Sequence, residues 1–312
     1  ILLRIMTFTI TILGSSSAIP TSHRNLSGML VNMNHKYFLV DCGEGTQMQL
    51  RRYKIKLQKI KHIFISHLHG DHFFGLIGLL STFHLLGRDE ALHVYANPEL
   101  QPIIDMQLKV SATTLSYPVH FHPTNPVVSE IIYEDDRNVV KTFPMVHTVP
   151  TTGFLFYEKQ RQKKIKKDFL RREDVPIEMI PKIKNGADYV NQDGKLFKND
   201  DITISPLQPR SFAYCSDTAY NEAMIEHIRK ADLIYHEATF LEDMKAIAAE
   251  KQHSTASQAA QIALKANVDK LLIGHFSARY KELADIFAEA AAIFPETMLA
   301  IEGEVYKVGA YQ

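Results

Sequence analysis

Three histidines and an aspartate stand at fixed spacing in Ser66-His67-Leu68-His69-Gly70-Asp71-His72. Imidazole nitrogen together with carboxylate oxygen is a donor set for zinc and similar divalent metals. The apolar run Ile63 to Ile65 just before it reads as a short buried strand, whose end is stiff enough to hold the first two ligands. The turn at Gly70 then swings Asp71 and His72 to a second position, so one stretch can feed two adjacent metals. The bland alternative is a histidine-rich surface loop. Histidine fills 15 of 312 positions, so three at these fixed places arise by chance in roughly 0.03 of chains this long, which favours the metal.

Further donors recur at places of the same kind. His147 follows the extended segment Val139 to Phe143, and Ser211 to Thr218 is a short strand ending in Asp217. Lys270 to Phe276 is a strand that delivers His275, and Ala231 to Phe240 ends in a polar stretch with Glu237. Strands alternating with helices imply an α/β fold of sheets sandwiched by helices, with the donors converging at one sheet edge. Asp217 can bridge two metals, leaving an open position for water. Two such ions roughly 3.5–4 Å apart lower the pKa of a shared water and stabilise attacking and leaving oxygens in a displacement at phosphorus. Such a site hydrolyses. Asp41-Cys42-Gly43-Glu44-Gly45-Thr46-Gln47 is a glycine turn but no phosphate-binding loop, because no Gly-Lys-Ser/Thr follows. His84, His93, His120 and His122 lie beside no second ligand type and read as ordinary residues.

The elements that must position these groups follow from periodicity and turn chemistry. From Met6 to Ile12 threonine alternates with apolar residues, which is a strand and not a signal peptide. Gly28 to Val40 reads as a hairpin turning at Asn32 to Lys36, with a helix from about Thr46 to Arg52 after it. Phe73 to Leu86 has helical periodicity, Leu92 to Tyr95 is a strand, and Pro98 opens another helix. An alanine-rich helix is expected after Asp217, and Thr255 with Gln258 forms a capping box for a helix to about Ala266. The next helix ends at Phe294 because Pro295 cannot continue it, and Met298 to Val308 supplies two last short strands. The loop Leu13 to Asn25 reads either as a tight connection or as a phosphate contact through backbone N–H groups and Arg24.

Composition bounds the class. The chain can bury a large core, as one big domain or two ordinary ones, and its apolar stretches are too broken to span a membrane. Cys42 and Cys215 form no C-x-x-C motif and offer no disulfide framework, which fits a reducing cytoplasm. Net charge is zero, but residues 159–172 hold eight basic groups and one acidic, leaving the remainder with 27 basic against 34 acidic. A basic segment on an acidic body with a metal site points to RNA or DNA contact rather than to a merely solvated helix face. The stretch from Val175 to Ile204, with its prolines and glycines, looks like an insertion.

Taken together these motifs resemble the metallo-β-lactamase superfamily and, within it, the short-form tRNA 3′-processing endoribonucleases (tRNase Z, or RNase Z). The resemblance covers nearly the whole chain. It is carried by Ser66 to His72, by Leu13 to Pro20 and Pro20-Thr21-Ser22-His23-Arg24-Asn25, and by Asp41 to Gln47. His147 with Val149-Pro150-Thr151-Thr152-Gly153-Phe154, Ser216-Asp217-Thr218, His236-Glu237-Ala238-Thr239-Phe240 and Gly274 to Tyr280 complete it. The resemblance implies an αββα sandwich over 1–312 with a protruding basic arm inserted at about 157–199. It implies one zinc on His67, His69 and His147, a second on Asp71, His72 and His275, and Asp217 between them, sites that Mn2+ or Fe2+ also suits. By the same resemblance Glu237 orients His253, which protonates the leaving 3′ oxygen, while Asp71 orients or deprotonates the attacking water. Precursor tRNA is then the substrate, gripped by arm residues such as Lys163, Lys164, Lys166 and Lys167, with Arg24 and Arg279 near the cut, often across a homodimer. Two departures stand out. The arm's usual glycine-proline element is replaced by Val175 to Pro181, and His23 stands where lysine is common. A superfamily hydrolase of small phosphodiesters or esters gives no reason for the basic segment. Seven filled metal positions argue against a non-catalytic RNA-binding scaffold.

Overall fold

The structure is a computed structural model that describes residues 7–309. The expected first strand begins one residue outside that range, at Met6. Within it, Phe8–Gly14 buries Phe8, Ile10 and Ile12 while Thr9 and Thr11 stay partly exposed, as a period of two demands. Up to Tyr157 and again from Arg210 the described chain forms one compact unit, and Glu158–Pro209 forms another.

The larger unit is built on two sheets, each of seven strands among the described residues. From edge to edge the first runs Val305–Lys307, Phe8–Gly14, Gly28–Met33, Lys36–Cys42, Ile60–Phe64, Leu92–Ala96 and Val119–Pro123. The second runs Thr297–Leu299, Leu271–Gly274, Leu233–Glu237, Ser211–Cys215, Thr152–Glu158, Asn138–Pro144 and Ile131–Glu134. Their inner faces meet in one core, where Ile10, Phe38 and Phe64 pack with Phe154, Phe212 and Tyr235. On the outer face of the first sheet, Leu50, Leu79, Phe83 and Ile104 from helices Thr46–Arg52, Leu76–Leu85 and Leu100–Val110 cover Ile63 and Val94. On that of the second, Ile228, Ala259, Ala263 and Ala290 from three further helices cover Ala213, Ile234 and Ile273. The order helix, sheet, sheet, helix is the expected αββα sandwich. It arises because Ile63, Phe64 and their neighbours are apolar on both faces of the strand.

The local departures have local causes. The helix expected over Phe73 to Leu86 is broken into Gly70–Phe73 and Leu76–Leu85. At the break Gly75 packs so closely on the carbonyl of Gly43 that a Cβ could not fit, and its N–H donates to the Cys42 carbonyl at 2.9 Å. The alanine-rich helix expected after Asp217 is only a turn over Glu222–Met224 and the four residues Ile225–Ile228, since the alanines lie further on, in Lys245–Lys251 and Ala256–Ala266. The capping box at Thr255 and Gln258 opens Ala256–Ala266 as read. The two last strands join different sheets. Cys42 and Cys215 are both free and buried.

Glu158–Pro209 has its own small core of Ile165, Phe169, Ile183, Tyr189 and Ile202. It extends ten residues beyond the expected end at 199 because Thr203–Ile204 pairs with Lys164–Ile165 and Ile202 completes that core. Counted over the whole unit, twelve basic side chains face nine acidic ones, so the excess seen in 159–172 is largely balanced within it.

Candidate metal centre and its cavity

Four strand ends deliver the seven donors, and a fifth delivers Glu237. His67, His69, Asp71 and His72 follow Ile60–Phe64, and His147 follows Asn138–Pro144. Asp217, Glu237 and His275 stand at the ends of three adjacent parallel strands of the second sheet. Parallel strands bring their carboxyl ends to one edge, the usual place for a site in such sheets.

The seven residues gather. One set of donor atoms from His67, His69, His147 and Asp217 lies within 4.8 Å of one another, and so does a set from Asp71, His72 and His275. His69 Nδ1 is 3.2 Å from His67 Nε2 and 3.1 Å from His147 Nε2. Asp217 Oδ2 stands between the sets, 3.7 Å from His67 Nε2, 3.8 Å from His147 Nε2, and 3.4 Å from both His72 Nε2 and His275 Nε2. Asp71 Oδ2 is 3.3 Å from His275 Nε2 and 3.5 Å from His72 Nε2. Tetrahedral zinc with nitrogens at 2.0–2.1 Å has ligand atoms about 3.3 Å apart, so the spacing fits the ion.

Outer contacts fix which ring nitrogen faces inward. His72 Nδ1 donates to Asp41 Oδ2 at 2.7 Å, His67 Nδ1 to Ser66 Oγ at 3.0 Å, and His147 Nδ1 to the Gln252 carbonyl at 2.8 Å. His275 Nδ1 lies 3.0 Å from Thr239 Oγ1. With each Nδ1–H engaged outside, the Nε2 lone pairs point at the centre, which is the tautomer a metal ligand needs. Burial lowers the pKa of His67, His69 and His147 below the ordinary histidine value, which also keeps lone pairs available. At His72 burial acts the same way, but Asp217, Asp41 and Asp71 outweigh it and raise its pKa well above that value. The field of the site therefore favours positive charge where the imidazoles converge.

The Glu237–His253 pair also forms. His253 Nδ1 donates to Glu237 Oε1 at 2.8 Å, and that buried carboxylate further accepts the Thr218 amide at 2.8 Å and the Thr239 hydroxyl at 2.5 Å. Burial disfavours a charged His253, yet Glu237 first and Asp217 next raise its pKa to about 9. His69, Asp71, His147, Asp217, His253 and His275 all line one open cavity of about 890 Å3.

The remaining candidates fare differently. Arg24 is a structural tie and does not line the cavity: its Nη2 donates to the carbonyls of Tyr280 at 2.8 Å and Ser277 at 3.2 Å. The amides of the preceding loop are engaged as well, Ser16 N–H on the Asn25 carbonyl, Ser17 N–H on Phe276 and Ala18 N–H on Asp71 Oδ2. Of the two readings of that loop, the tight connection is the one that the hydrogen bonds favour. His23 is exposed. Arg279 does line the cavity, over the Phe240 ring at 5.3 Å, as does Lys251, which the sequence reading passed over. In the second unit Lys163 is held by Asn199 and Asp200 and Lys166 by the Asp201 carbonyl, while Lys164 and Lys167 are exposed. Arg161 there has a buried Nη2 with no hydrogen-bond partner and lines, with Lys163 and Lys184, a cavity of about 490 Å3. Among the residues not foreseen, Asp41 matters most, since it accepts from His72, Ser66 and Tyr214.

A family model described as anti-Pycsar protein Apyc1 matches residues 8–173, and a β-lactamase superfamily domain matches 202–276. Ribonuclease Z of Phocaeicola vulgatus is 48% identical over 295 residues, 95% of this chain and 96% of that protein. The chain belongs to the ribonuclease Z family. Ribonuclease Z of Bacteroides thetaiotaomicron is 46% identical over 304 residues, 97% of this chain and 96% of its own. The crystal structure of the short form of human tRNase Z superposes with a TM-score of 0.71 at 26% identity, covering 97% of this chain and all of that one. Ribonuclease Z relatives therefore span the second unit as well as the sandwich. No helix among the described residues is long and apolar enough to cross a membrane.

Proposed function

We propose that the protein is a metal-dependent endoribonuclease that removes the 3′ trailer from precursor tRNA. The observation that carries the reading is the meeting, in one open cavity, of a complete His/Asp donor set with the Glu237–His253 pair. His67, His69 and His147 would hold one zinc and Asp71, His72 and His275 a second, with Asp217 shared; manganese or iron suits the same donors. Two divalent ions so bound supply activation of water and stabilisation of charge on phosphoryl oxygens.

The chain's own residues do the rest. Asp71, steadied by the Ala18 amide, orients or deprotonates the attacking water. His253 lines the cavity with its Nδ1–H held by Glu237, and gives a proton to the leaving 3′ oxygen. Glu237 fixes the ring and favours its protonated form. Arg279 and Lys251 at the cavity supply positive charge toward phosphates on either side of the cut. Glu158–Pro209, with exposed Lys164 and Lys167, serves as the arm that grips tRNA, and the enzyme works as a homodimer in the cytoplasm.

The test is incubation with a defined pre-tRNA transcript and mapping of the cut. Cleavage at the trailer junction, abolished by chelation and restored by zinc, is expected. Hydrolysis of small phosphodiesters without any cut in pre-tRNA would overturn the assignment in favour of a small-substrate hydrolase.

A further inference from the structure

Beside the metal donors stands an aromatic ring with no part in holding them. Phe74 is 62% exposed, whereas its neighbour Phe73 is buried in the core under the first sheet. A large apolar ring left mostly in water beside the donors is available to an apolar or aromatic partner. Phe74 closes the turn that carries Asp71 and His72, its N–H on the Gly70 carbonyl at 3.0 Å. Its ring lies directly over Gly70, against the turn that carries Asp71 and His72. A second exposed apolar side chain, Ile19 at 60%, follows Ala18, whose amide is fixed on Asp71 Oδ2 at 2.8 Å. Both side chains line the cavity that holds the donors. A phosphodiester seated on those donors brings a nucleoside on each side of it. Every base has a π-face, and aromatic platforms take up bases without reading their sequence.

We infer that Phe74 is the platform on which a base flanking the scissile phosphate stacks, making it a positioning residue for RNA cleavage. The inference rests on the endoribonuclease reading above. It predicts a contribution specific to substrates that carry a base at that place.

The experiment is a double-mutant cycle on kcat/KM for trailer cleavage. Wild type, Phe74→Ala, Phe74→Leu and Phe74→Tyr are each given pre-tRNA with normal nucleotides or with a single abasic nucleotide on either side of the cut. Stacking of one base predicts a loss of about ten-fold or more for Phe74→Ala, a smaller loss for Phe74→Leu and near wild-type activity for Phe74→Tyr. One of the two abasic substrates should slow the wild type by a similar factor and Phe74→Ala hardly further, with zinc content unchanged. Equal losses on all substrates, no loss at all, or a loss that tracks a change in oligomeric mass would overturn it. Should the wild type fail to cut pre-tRNA, the endoribonuclease reading falls and this inference with it. A wild type that cuts correctly but shows no coupling in the cycle removes the stacking role alone.

Discussion

Replacing Asp41 by asparagine tests the reasoning about ring tautomers more sharply than removing any one donor. The carboxylate is fully buried and takes four hydrogen bonds: Ser66 N–H on Oδ1 at 2.7 Å, and on Oδ2 the Ser66 hydroxyl at 2.9 Å, the Tyr214 hydroxyl at 2.7 Å and His72 Nδ1 at 2.7 Å. Alanine would strand all four donors. At about 1–3 kcal/mol each that approaches the whole stability of a domain, so Asp41→Ala should not fold. Asparagine keeps the shape. It also tolerates the left-handed backbone at this position, φ 56°, better than other residues do. Its amide nitrogen cannot face the Ser66 N–H, so it must take the Oδ2 position. There the two hydroxyls can turn and accept, but His72 Nδ1–H cannot.

The imidazole of His72 then moves its proton to Nε2, the atom that faces His275 Nε2 at 3.3 Å and Asp217 Oδ2 at 3.4 Å. A ligand lone pair is lost where the second ion would sit. Loss of such an outer partner costs about 10–100-fold in metal affinity, or about 1.4–2.7 kcal/mol. The assay is zinc competition against a chromophoric chelator, with circular dichroism to show that the fold persists. On the two-ion reading proposed above, zinc binding at Asp71, His72 and His275 should weaken while binding at His67, His69 and His147 holds. Folded Asp41→Asn protein that binds both zincs as tightly as wild type would refute the tautomer argument.

Replacing His253 by alanine should lower kcat on pre-tRNA by about 10²–10⁴ while zinc content, read by atomic absorption, is unchanged. Excising the second unit at 160–208 with a short glycine-serine link should weaken pre-tRNA binding in a filter assay and spare hydrolysis of bis(p-nitrophenyl) phosphate. Acid stability should depend on His62, which packs on Phe38, His93 and Tyr133 away from the metal donors. Burial first, then His93, Lys36 and His122, depress its pKa from 6.5 to about 3. Below pH 6.5 the unfolded chain takes up this proton and the folded chain does not. Stability is therefore full above pH 6.5 and lost as pH falls toward 3, by at most about 1.4 kcal/mol per unit. Urea midpoints between pH 7 and 5 should fall less steeply for His62→Phe than for wild type.

The sandwich and its donors were legible because each donor announces itself locally. An apolar run of strand length followed by His or Asp recurs at His67, Asp217 and His275, and the spacing of His69, Asp71 and His72 is fixed by a single turn. The direction Arg24 takes was not legible, because a guanidinium in a polar loop looks alike whether it faces a phosphate or its own backbone. Only the fold brings the carbonyls of Ser277 and Tyr280, more than 250 positions away, within reach of it. The partial balancing of the charge in 159–172 was hidden for a similar reason, since Asp200 and the Asp201 carbonyl that engage Lys163 and Lys166 arrive from the far end of the unit.

What sequence spacing could not reveal is how the donors are aimed. Ala18, Asp41, Gln252 and His275 all adopt left-handed backbone, with φ between 53° and 59°, and none is glycine. Each such residue costs on the order of 1 kcal/mol or more, and strain of this kind persists only where the surroundings enforce it. Here every one has a task at the centre. Ala18 turns its amide to Asp71, Asp41 its carboxylate to His72, Gln252 its carbonyl to His147, and His275 its ring to Asp217. Relaxing any of them to ordinary backbone would swing a donor or its outer partner away. The sandwich therefore does more than gather seven side chains: its packing holds four strained residues in place, and these in turn set which ring nitrogens and carboxylate oxygens face the centre of the cluster.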